Sequence, residues 1–226
     1  MSNAMQSHYQ EREISLEMNS IKLKGSLVVP DRAKGIVIFA HGSGSSRFSP
    51  RNRHLAQLLQ ELRLATLLID LLTTAEEKID RHTKQFRFNI GLLAERLVDS
   101  TKWLQQNPST KNLKIGYFGA STGSTAALIA AADFPEAVGA IVSRGGRPDL
   151  AGSAVTRVKA PTLLIVGEKD FLVKEINRQA FDRLSAEKEM VIIPEATHLF
   201  VEPGAFDEVG KSAGEWFSRF LDPQIG

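Results

Sequence analysis

Residues 113–132 read LKIGYFGASTGSTAALIAAA, and this stretch decides the fold class more than any other. Its first six residues have the length and apolar content of a buried strand, and the alanine-rich run 125–132 predicts a helix. Between them, residues 119–123 form Gly-x-Ser-x-Gly. In a tight strand-to-helix turn of this pattern, the serine backbone is strained and only glycine leaves room for the chain passing close by. The stretch therefore predicts an exposed Ser121 hydroxyl at a strand end. The alternative is an ordinary glycine-rich turn with a solvated serine.

Short apolar runs alternate with amphipathic helical segments along the rest of the chain. The runs of strand length are residues 36–41, 64–70, 113–118, 137–142, 162–166 and 190–193. Strands without polar alternation are buried on both faces, and alternating strands and helices form right-handed crossovers. The sequence therefore predicts an α/β fold with a mostly parallel central sheet flanked by helices on both faces. Residues 14–18 and 21–29 precede it as two predicted antiparallel strands.

Length and composition predict one domain, spanning residues 5–226. The chain has 226 residues, of which 42% are hydrophobic, enough for one sizeable core and short for two ordinary domains. Residues 1–4 stand ahead of a second methionine and are interpreted as an expression remnant, outside the natural fold.

Charge and cysteine usage narrow the function classes. The formal net charge is +2 with basic residues spread along the chain, which argues against nucleic-acid and membrane-surface partners. The chain has no cysteine, so disulfides, thiolate catalysis and thiolate metal sites are excluded. No apolar stretch has the length of a membrane span or the position of a secretion signal, and a cytoplasmic protein is expected.

Two further polar residues follow predicted strands in the chain order that serine catalysis requires. Asp170 comes after the strand 162–166, and His198 lies in the loop after the last predicted strand. A serine hydroxyl needs a base to take its proton, and the base needs an acid to orient it and stabilise its charge. The order serine, aspartate, histidine fits Ser121, Asp170 and His198. Glu168 remains an alternative acid, with Asp170 then a turn or helix-capping residue.

The loop His41-Gly42-Ser43-Gly44 follows the first predicted parallel strand. Arg47 stands where a dinucleotide fingerprint has its third glycine, and no Gly-Lys-Ser/Thr sequence completes a phosphate loop. An oxyanion hole is the better interpretation, because it needs one N–H from the residue after the nucleophile and one from an earlier loop. Thr122 and Ser43 are the predicted donors, with Gly44 as the alternative to Ser43.

These motifs together resemble one known family. HGSGSS, GASTG, the GEKD turn and ATHLF look like the α/β-hydrolase superfamily, and most closely its small dienelactone-hydrolase-like branch, over roughly residues 25–221. The resemblance implies the α/β-hydrolase fold, the triad Ser121, Asp170 and His198, and an acyl-enzyme mechanism. Dienelactone hydrolases proper carry a cysteine nucleophile, whereas this chain has Ser121, so their lactone substrate is not transferred.

The pocket is expected to be open, with arginines near its border. About fifteen residues separate the loop after residue 142 from the next predicted strand, too few for a lid domain. Residues predicted to contact the substrate are Leu71, Arg144, Arg147 and Phe200. Arg47, Arg51 and Arg53 follow the oxyanion loop. These arginines either bind an anionic substrate or pair with carboxylates such as Asp149 to brace loops, and the sequence leaves both interpretations open.

The resulting functional hypothesis is a serine hydrolase that cleaves a small-molecule carboxylic ester or related acyl compound. No cofactor is expected, and no metal is expected because no histidine pair has metal-site spacing with a supporting carboxylate. Two alternatives remain: a catalytically silent binding protein of the same fold, and an acyltransferase that uses the same triad. Oligomeric state and substrate depend on surfaces that motifs do not encode.

Overall fold

The computed structural model describes residues 9–18 and 21–222, so the predicted remnant 1–4 lies outside the described residues. Within them, eight strands form one sheet in the order β1-β2-β4-β3-β5-β6-β7-β8. The strands are β1 Arg12–Met18, β2 Ile21–Val28, β3 Gly35–Ala40, β4 Leu64–Ile69, β5 Ile115–Ala120, β6 Val138–Arg144, β7 Thr162–Gly167 and β8 Lys188–Ile193.

Helices connect the strands. They are α1 Pro50–Glu61, α2 Thr74–Thr83, α3 Ile90–Gln106, α4 Thr122–Asp133, α5 Ala154–Arg157, α6 Phe171–Arg183 and α7 Ala205–Leu221. Two short 3₁₀ helices, Pro135–Ala137 and Pro148–Ala151, lie on either side of β6. Among the described residues, none of the helices combines the length and the hydropathy that a membrane span requires.

The sheet has the predicted mostly parallel architecture. Strands β3 to β8 pair in parallel, whereas β1 pairs antiparallel with β2 and β2 pairs antiparallel with β4. The helices α3, α4 and α6 contribute to the core on one face, and α1 and α7 pack on the other. Both the parallel sheet and the antiparallel N-terminal pair are therefore confirmed.

Strand β3 shows why the apolar runs lack alternation. Ile36 and Ile38 face the core beneath α3 and α4, whereas Val37 and Phe39 face the core beneath α1 and α7. All six residues of the strand are buried. Complete burial of one such side chain stabilises a fold by about 1.5–3 kcal/mol. Polar residues are therefore disfavoured on both faces of the strand.

Two long connections, from β6 to β7 and from β4 to α3, each contain short helical elements. The segment between β6 and β7 packs α5 and the turn Pro148–Ala151 against α4 and α6. The connection from β4 to α3 instead carries α2, a helix that the sequence reasoning did not predict. Helix α2 begins with a capping box, in which the Thr73 hydroxyl accepts from Glu76 N–H and the Glu76 carboxylate accepts from Thr73 N–H.

Two glycines let α4 start against the ends of β5 and β3. A Cβ on Gly119 would lie 2.3 Å from Ser124 Cα, and a Cβ on Gly123 would lie 2.1 Å from the Ala40 carbonyl oxygen. Both obstacles are backbone, which cannot rotate away as a side chain can. The glycines of the Gly-x-Ser-x-Gly pattern at residues 119–123 are thus required by close backbone packing on both sides of Ser121.

Gly123→Ala should lower the free energy of unfolding by about 3 kcal/mol, because the new methyl group overlaps the backbone at the end of β3. Gly91→Ala is the matched control, since a Cβ there meets only Asn89 Oδ1 at 3.7 Å. That exposed helical position should gain up to about 1 kcal/mol. Urea denaturation measures both values, and similar stabilities for the two variants would contradict the packing argument.

Candidate active site

Ser121 occupies the strained turn between β5 and α4. Its backbone has φ 51° and ψ −119°, a region that residues with a Cβ rarely adopt and that here needs support from its surroundings. Its N–H donates to the Arg144 carbonyl at 3.1 Å, and its own carbonyl accepts from the Ser124 hydroxyl at 2.5 Å. The side chain is half-buried, and its hydroxyl makes no hydrogen bond to another described residue.

Asp170 and His198 form the second part of the site. His198 Nδ1 lies 2.6 Å from Asp170 Oδ2, a length typical of a charge-assisted hydrogen bond. The histidine side chain is 40% exposed and the aspartate 15% exposed, so the imidazole is open to solvent while the carboxylate is sheltered. With Nδ1 donating to Asp170, Nε2 is the nitrogen left to accept a proton.

Glu168, the alternative acid, is held elsewhere. Its Oε2 accepts from Glu195 N–H at 2.9 Å. Lys169 adds two connections, an ion pair with Glu195 at 2.5 Å and a backbone hydrogen bond to Ala196 at 2.9 Å. The loop after β7 is thus joined to the loop that carries His198, and in this geometry the carboxylate that contacts the imidazole belongs to Asp170.

The end of β6 lies between the serine and the histidine. Arg144 accepts the Ser121 N–H, and the next residue, Gly145, has His198 Cε1 only 3.3 Å from where a Cβ would stand. Gly145 also has φ 52°, so a larger residue would be both strained and in contact with the imidazole. The structure thereby brings the loops of Ser121 and His198 to neighbouring positions at the carboxyl edge of the sheet. The hydrogen bond between a nucleophilic serine and its base often tightens only when substrate binds.

The predicted oxyanion loop lies beside Ser121. A Cβ on Gly42 would be 3.4 Å from Ser121 Cβ. The Ser43 N–H donates to Thr122 Oγ1 at 2.9 Å, a contact that the sequence did not predict. The Gly44 N–H, the alternative donor, makes no hydrogen bond among the described residues, and Gly44 has φ 76°.

His41 connects the oxyanion loop to the loop after β4. Its Nδ1 lies 2.9 Å from the Gly42 carbonyl oxygen, and its Nε2 lies 3.2 Å from Leu71 N. A neutral ring satisfies both contacts when Nδ1 donates to the carbonyl and Nε2 accepts the Leu71 N–H. Burial lowers the pKa of His41 below its ordinary value of 6.5, consistent with this neutral form. A neutral His41 ring therefore joins the oxyanion loop to the loop after β4 through two hydrogen bonds.

A cavity of about 310 Å³ extends from the oxyanion loop toward α2. Its wall includes residues 41–46 and Leu71, together with Glu77, Arg81 and Arg87. Leu71 was predicted to line the pocket and borders this cavity. The other predicted site residues Ser121, Asp170, His198, Phe200, Arg144 and Arg147 are not part of its wall. The charged residues of α2 and Arg87 were missed, and the twenty-residue polar connection between β4 and α3 was the signal that could have located them.

Arg87 is a cation of this wall with several hydrogen bonds to one carboxylate residue. Asp80 holds it through Nε, through its backbone N–H and through the Asp80 carbonyl. Its Nη1 atom lies 3.7 Å from where a Cβ of Gly44 would stand. The hydrogen bonds to Asp80 thus hold the Arg87 guanidinium facing the oxyanion loop.

Among the described residues, no cluster of three or more histidine, aspartate or glutamate side chains could hold a metal ion.

The two arginines predicted to bind substrate have different surroundings. Arg147 donates two hydrogen bonds to Asp149, at 2.9 and 2.7 Å. This pairing raises the pKa of Arg147 and lowers that of Asp149. Arg144 is 8% exposed, and burial together with the charge of Arg51 lowers its pKa to about 10. Its guanidinium lies over the Phe200 ring, 5.4 Å from the centroid.

The arginines after the oxyanion loop make protein contacts. Arg47 pairs with Asp70 and Glu13, both at 3.0 Å. Arg53 pairs with Glu11 at 2.7 Å. Arg51 donates to the Leu199 carbonyl at 2.7 Å and so holds the residue after His198. These contacts favour the loop-bracing interpretation, and the binding of an anionic substrate stays a prediction.

Comparison with known proteins identifies the family to which the chain belongs. The model of the dienelactone hydrolase family matches residues 23–222. A protein of Mycobacterium tuberculosis that carries the provisional name phosphoribosyl transferase is 50% identical over 211 residues, in both strain CDC 1551 and strain H37Rv. The match covers 93% of this chain and 47% of the relative, so the chain spans about half the length of those proteins.

Solved structures agree with the fold. A dienelactone hydrolase from Anabaena variabilis is 60% identical, with a TM-score of 0.93 over 94% of this chain and 99% of that chain. Est1E from Butyrivibrio proteoclasticus is 15% identical, with a TM-score of 0.77 over 91% of this chain and 97% of that one. The second likeness concerns the fold alone.

His41 should make stability depend on pH in a defined direction. Its folded pKa lies below 6.5, so between the two values the unfolded chain binds more protons. The stability that its neutral ring contributes is therefore complete above about pH 6.5 and declines as the pH falls toward the folded pKa. His41→Gln keeps an acceptor for Leu71 N–H and removes the titration, so its free energy of unfolding should fall less between about pH 8 and about pH 5 than that of the wild type.

Urea denaturation at the two pH values measures this difference. His82→Gln, at an exposed position of α2 outside the site, is the matched control and should retain the wild-type difference. An equal pH effect in wild type and His41→Gln would show that His41 does not titrate on unfolding as described.

Proposed function

The chain belongs to the dienelactone hydrolase family of α/β hydrolases, and on that basis we propose that it is a serine hydrolase acting on a carboxylic ester or related acyl compound. Ser121 is the proposed nucleophile, His198 the base and Asp170 the acid. The observation that carries this proposal is the 2.6 Å contact between His198 Nδ1 and Asp170 Oδ2. It accompanies a serine whose backbone is held at φ 51° in the turn between β5 and α4.

The first half of the proposed reaction forms an acyl-enzyme. His198 Nε2 takes the Ser121 hydroxyl proton while Oγ bonds to the substrate carbonyl carbon, and the carbonyl electron pair moves to oxygen. When this tetrahedral intermediate collapses, the bond to the leaving group breaks. The leaving group takes the proton from His198. Asp170 stays ionised and stabilises the imidazolium between these two transfers.

The second half releases the acid. A water molecule gives a proton to His198 Nε2 and attacks the acyl carbon, and a second tetrahedral intermediate forms. Its collapse breaks the bond to Ser121 Oγ, which recovers the proton from His198. The enzyme returns to its starting state, and the net reaction is hydrolysis of one acyl bond.

Backbone amides support the charge that develops on the carbonyl oxygen. The Thr122 N–H is at the first turn of α4 and has no partner among the described residues, which is the usual state of the first N–H groups of a helix. The positive end of the helix dipole adds to the same field. The proposed second donor comes from the loop 42–44, beside Ser121.

The cavity meets the proposed site at the oxyanion loop only, and part of a polar substrate of modest size would fit there. Its wall combines Leu71 with serine hydroxyls of the oxyanion loop and the charged side chains of α2. Because the nucleophile is a serine, we do not extend the proposal to the lactone substrates of the cysteine enzymes. The provisional name of the mycobacterial relatives applies to proteins about twice as long, and we do not extend it to this chain.

Acyl transfer to an acceptor other than water would use the same residues. Product analysis in the presence of competing alcohols and amines separates the two reactions. Free acid as the sole product supports hydrolysis, whereas an ester or amide of the added acceptor indicates transfer. A catalytically silent binding protein of this fold would form neither product.

Reaction with a fluorophosphonate probe tests the nucleophile directly. We expect covalent labelling of Ser121 in the folded wild-type protein, located by peptide mapping, because an activated serine attacks the phosphorus centre. Ser121→Ala should lose labelling, and both Ser121→Ala and His198→Ala should lower kcat by about 10⁴-fold or more. Circular dichroism controls for folding. A folded wild type that leaves Ser121 unlabelled would overturn the proposed function.

Two carboxylates that are two residues apart test the assignment of the acid. Asp170→Asn should lower kcat by about 10³–10⁴-fold, because an amide neither favours the required imidazole tautomer nor stabilises its positive charge. Glu168→Gln is the matched control and should lower kcat by less than about tenfold, since Glu168 contacts the backbone of Glu195 rather than the imidazole. Steady-state kinetics with an aryl ester measures both, and a larger loss in Glu168→Gln would reverse the assignment.

A further inference from the structure

The Thr122 hydroxyl makes a contact that the mechanism above does not use. Thr122 is the first residue of α4, directly after the proposed nucleophile, and is 7% exposed. Its Oγ1 accepts the Ser43 N–H at 2.9 Å. The hydroxyl proton has no acceptor among the described residues. A buried hydroxyl with a free proton at this position is a potential donor.

The hydroxyl lies between the two groups that flank an oxyanion. One is the Thr122 N–H at the helix start, and the other is the loop amide of Ser43. The loop is close to the reacting serine, because a Cβ on Gly42 would lie 3.4 Å from Ser121 Cβ. Since the Ser43 N–H ends on Thr122 Oγ1, the hydroxyl stands beside the place where the substrate oxygen is expected, and its own proton is left to point there.

His41 fixes this arrangement before substrate arrives. The Gly42 carbonyl points to His41 Nδ1 at 2.9 Å, and in a planar trans peptide the following N–H points the opposite way. The Ser43 N–H is therefore directed toward Thr122 by a hydrogen bond on the other side of the same peptide. His41 is in turn held by Leu71 N–H at 3.2 Å.

We propose that the Thr122 hydroxyl is a catalytic residue, which donates a hydrogen bond to the oxyanion formed when Ser121 attacks the substrate carbonyl. The inference rests on the proposed function and adds a side-chain donor to its oxyanion hole. The Ser43 N–H polarises the hydroxyl and makes it a stronger donor. Thr122 then contributes both its N–H and its hydroxyl, with no proton transferred at either group.

Two other roles of the Thr122 hydroxyl would affect the rate differently when the hydroxyl is removed. If the hydroxyl only occupied the oxyanion position and competed for the Ser43 N–H, its removal would free that donor and raise the rate. If it only held the loop, its removal would change stability and KM but not the selective binding of the transition state. The three roles are therefore separable by measurement.

Thr122→Val is the main variant, because valine has the same shape without the hydroxyl. With p-nitrophenyl acetate, kcat should fall by about 10²-fold, the usual effect of losing one oxyanion donor, with KM unchanged within about threefold. Thr122→Ser keeps the hydroxyl and should stay within about tenfold of the wild type. Thr122→Ala lacks both the hydroxyl and the second methyl group that valine introduces. It serves as the test if Thr122→Val does not fold.

A matched control and a second readout exclude a merely structural effect. Thr162 is a buried threonine whose hydroxyl donates to the Ala160 carbonyl at 2.9 Å, at the amino end of β7 and so at the opposite edge of the sheet. Thr162→Val should leave kcat unchanged. An alkyl trifluoromethyl ketone, which forms an oxyanion on the attacked carbon, should bind Thr122→Val more weakly by about the factor lost in kcat/KM.

Unchanged or raised kcat in folded Thr122→Val, or unchanged affinity for the ketone, would overturn the inference. If wild-type Ser121 is labelled by fluorophosphonate and the wild type turns over the ester, such a result refutes only the role of Thr122. If the wild type shows neither labelling nor turnover, the proposed function itself fails, and with it the inference.

Discussion

The backbone of Ser121, held at a positive φ between a strand and a helix, is the constraint on which the rest of the site depends. This conformation costs of order 1–3 kcal/mol for a residue with a side chain. It persists because α4 packs its alanine-rich surface into the core while Gly119 and Gly123 allow backbone contact with its first turn. The same packing places the start of α4 beside the serine hydroxyl. There the Thr122 N–H, which no described residue accepts, and the positive end of the helix dipole point toward the site.

The parallel sheet assembles the remaining groups. Asp170 and His198 are 28 residues apart in sequence, and each follows a strand at the same edge of the sheet. Contacts between the two loops then determine which carboxylate meets the imidazole. Glu168 and Lys169 both bind to the segment 195–196, and with those side chains engaged Asp170 is directed at His198.

Charge in this site is arranged mainly through local pairing. Arg47, Arg53 and Arg147 each meet a carboxylate, so their positive charge is largely neutralised within the protein. The Arg144 guanidinium instead stacks over the ring of Phe200, a residue with φ 52° in the loop that carries His198. The cavity opens on the other side of the oxyanion loop, where Arg87 and the charged side chains of α2 form the wall.

The sequence by itself determined the α/β class, the parallel sheet and the candidate residues Ser121, Asp170 and His198. Those features follow from local signals: apolar runs of strand length, glycines on both sides of a serine, and the order of polar residues after strands. Only the tertiary structure decided which carboxylate contacts His198, which arginines are paired, that α2 borders the cavity, and that Ser43 N–H meets the Thr122 hydroxyl. The physical reason is that these contacts join loops distant in sequence, and their partners depend on how the loops pack at one edge of the sheet rather than on any local pattern.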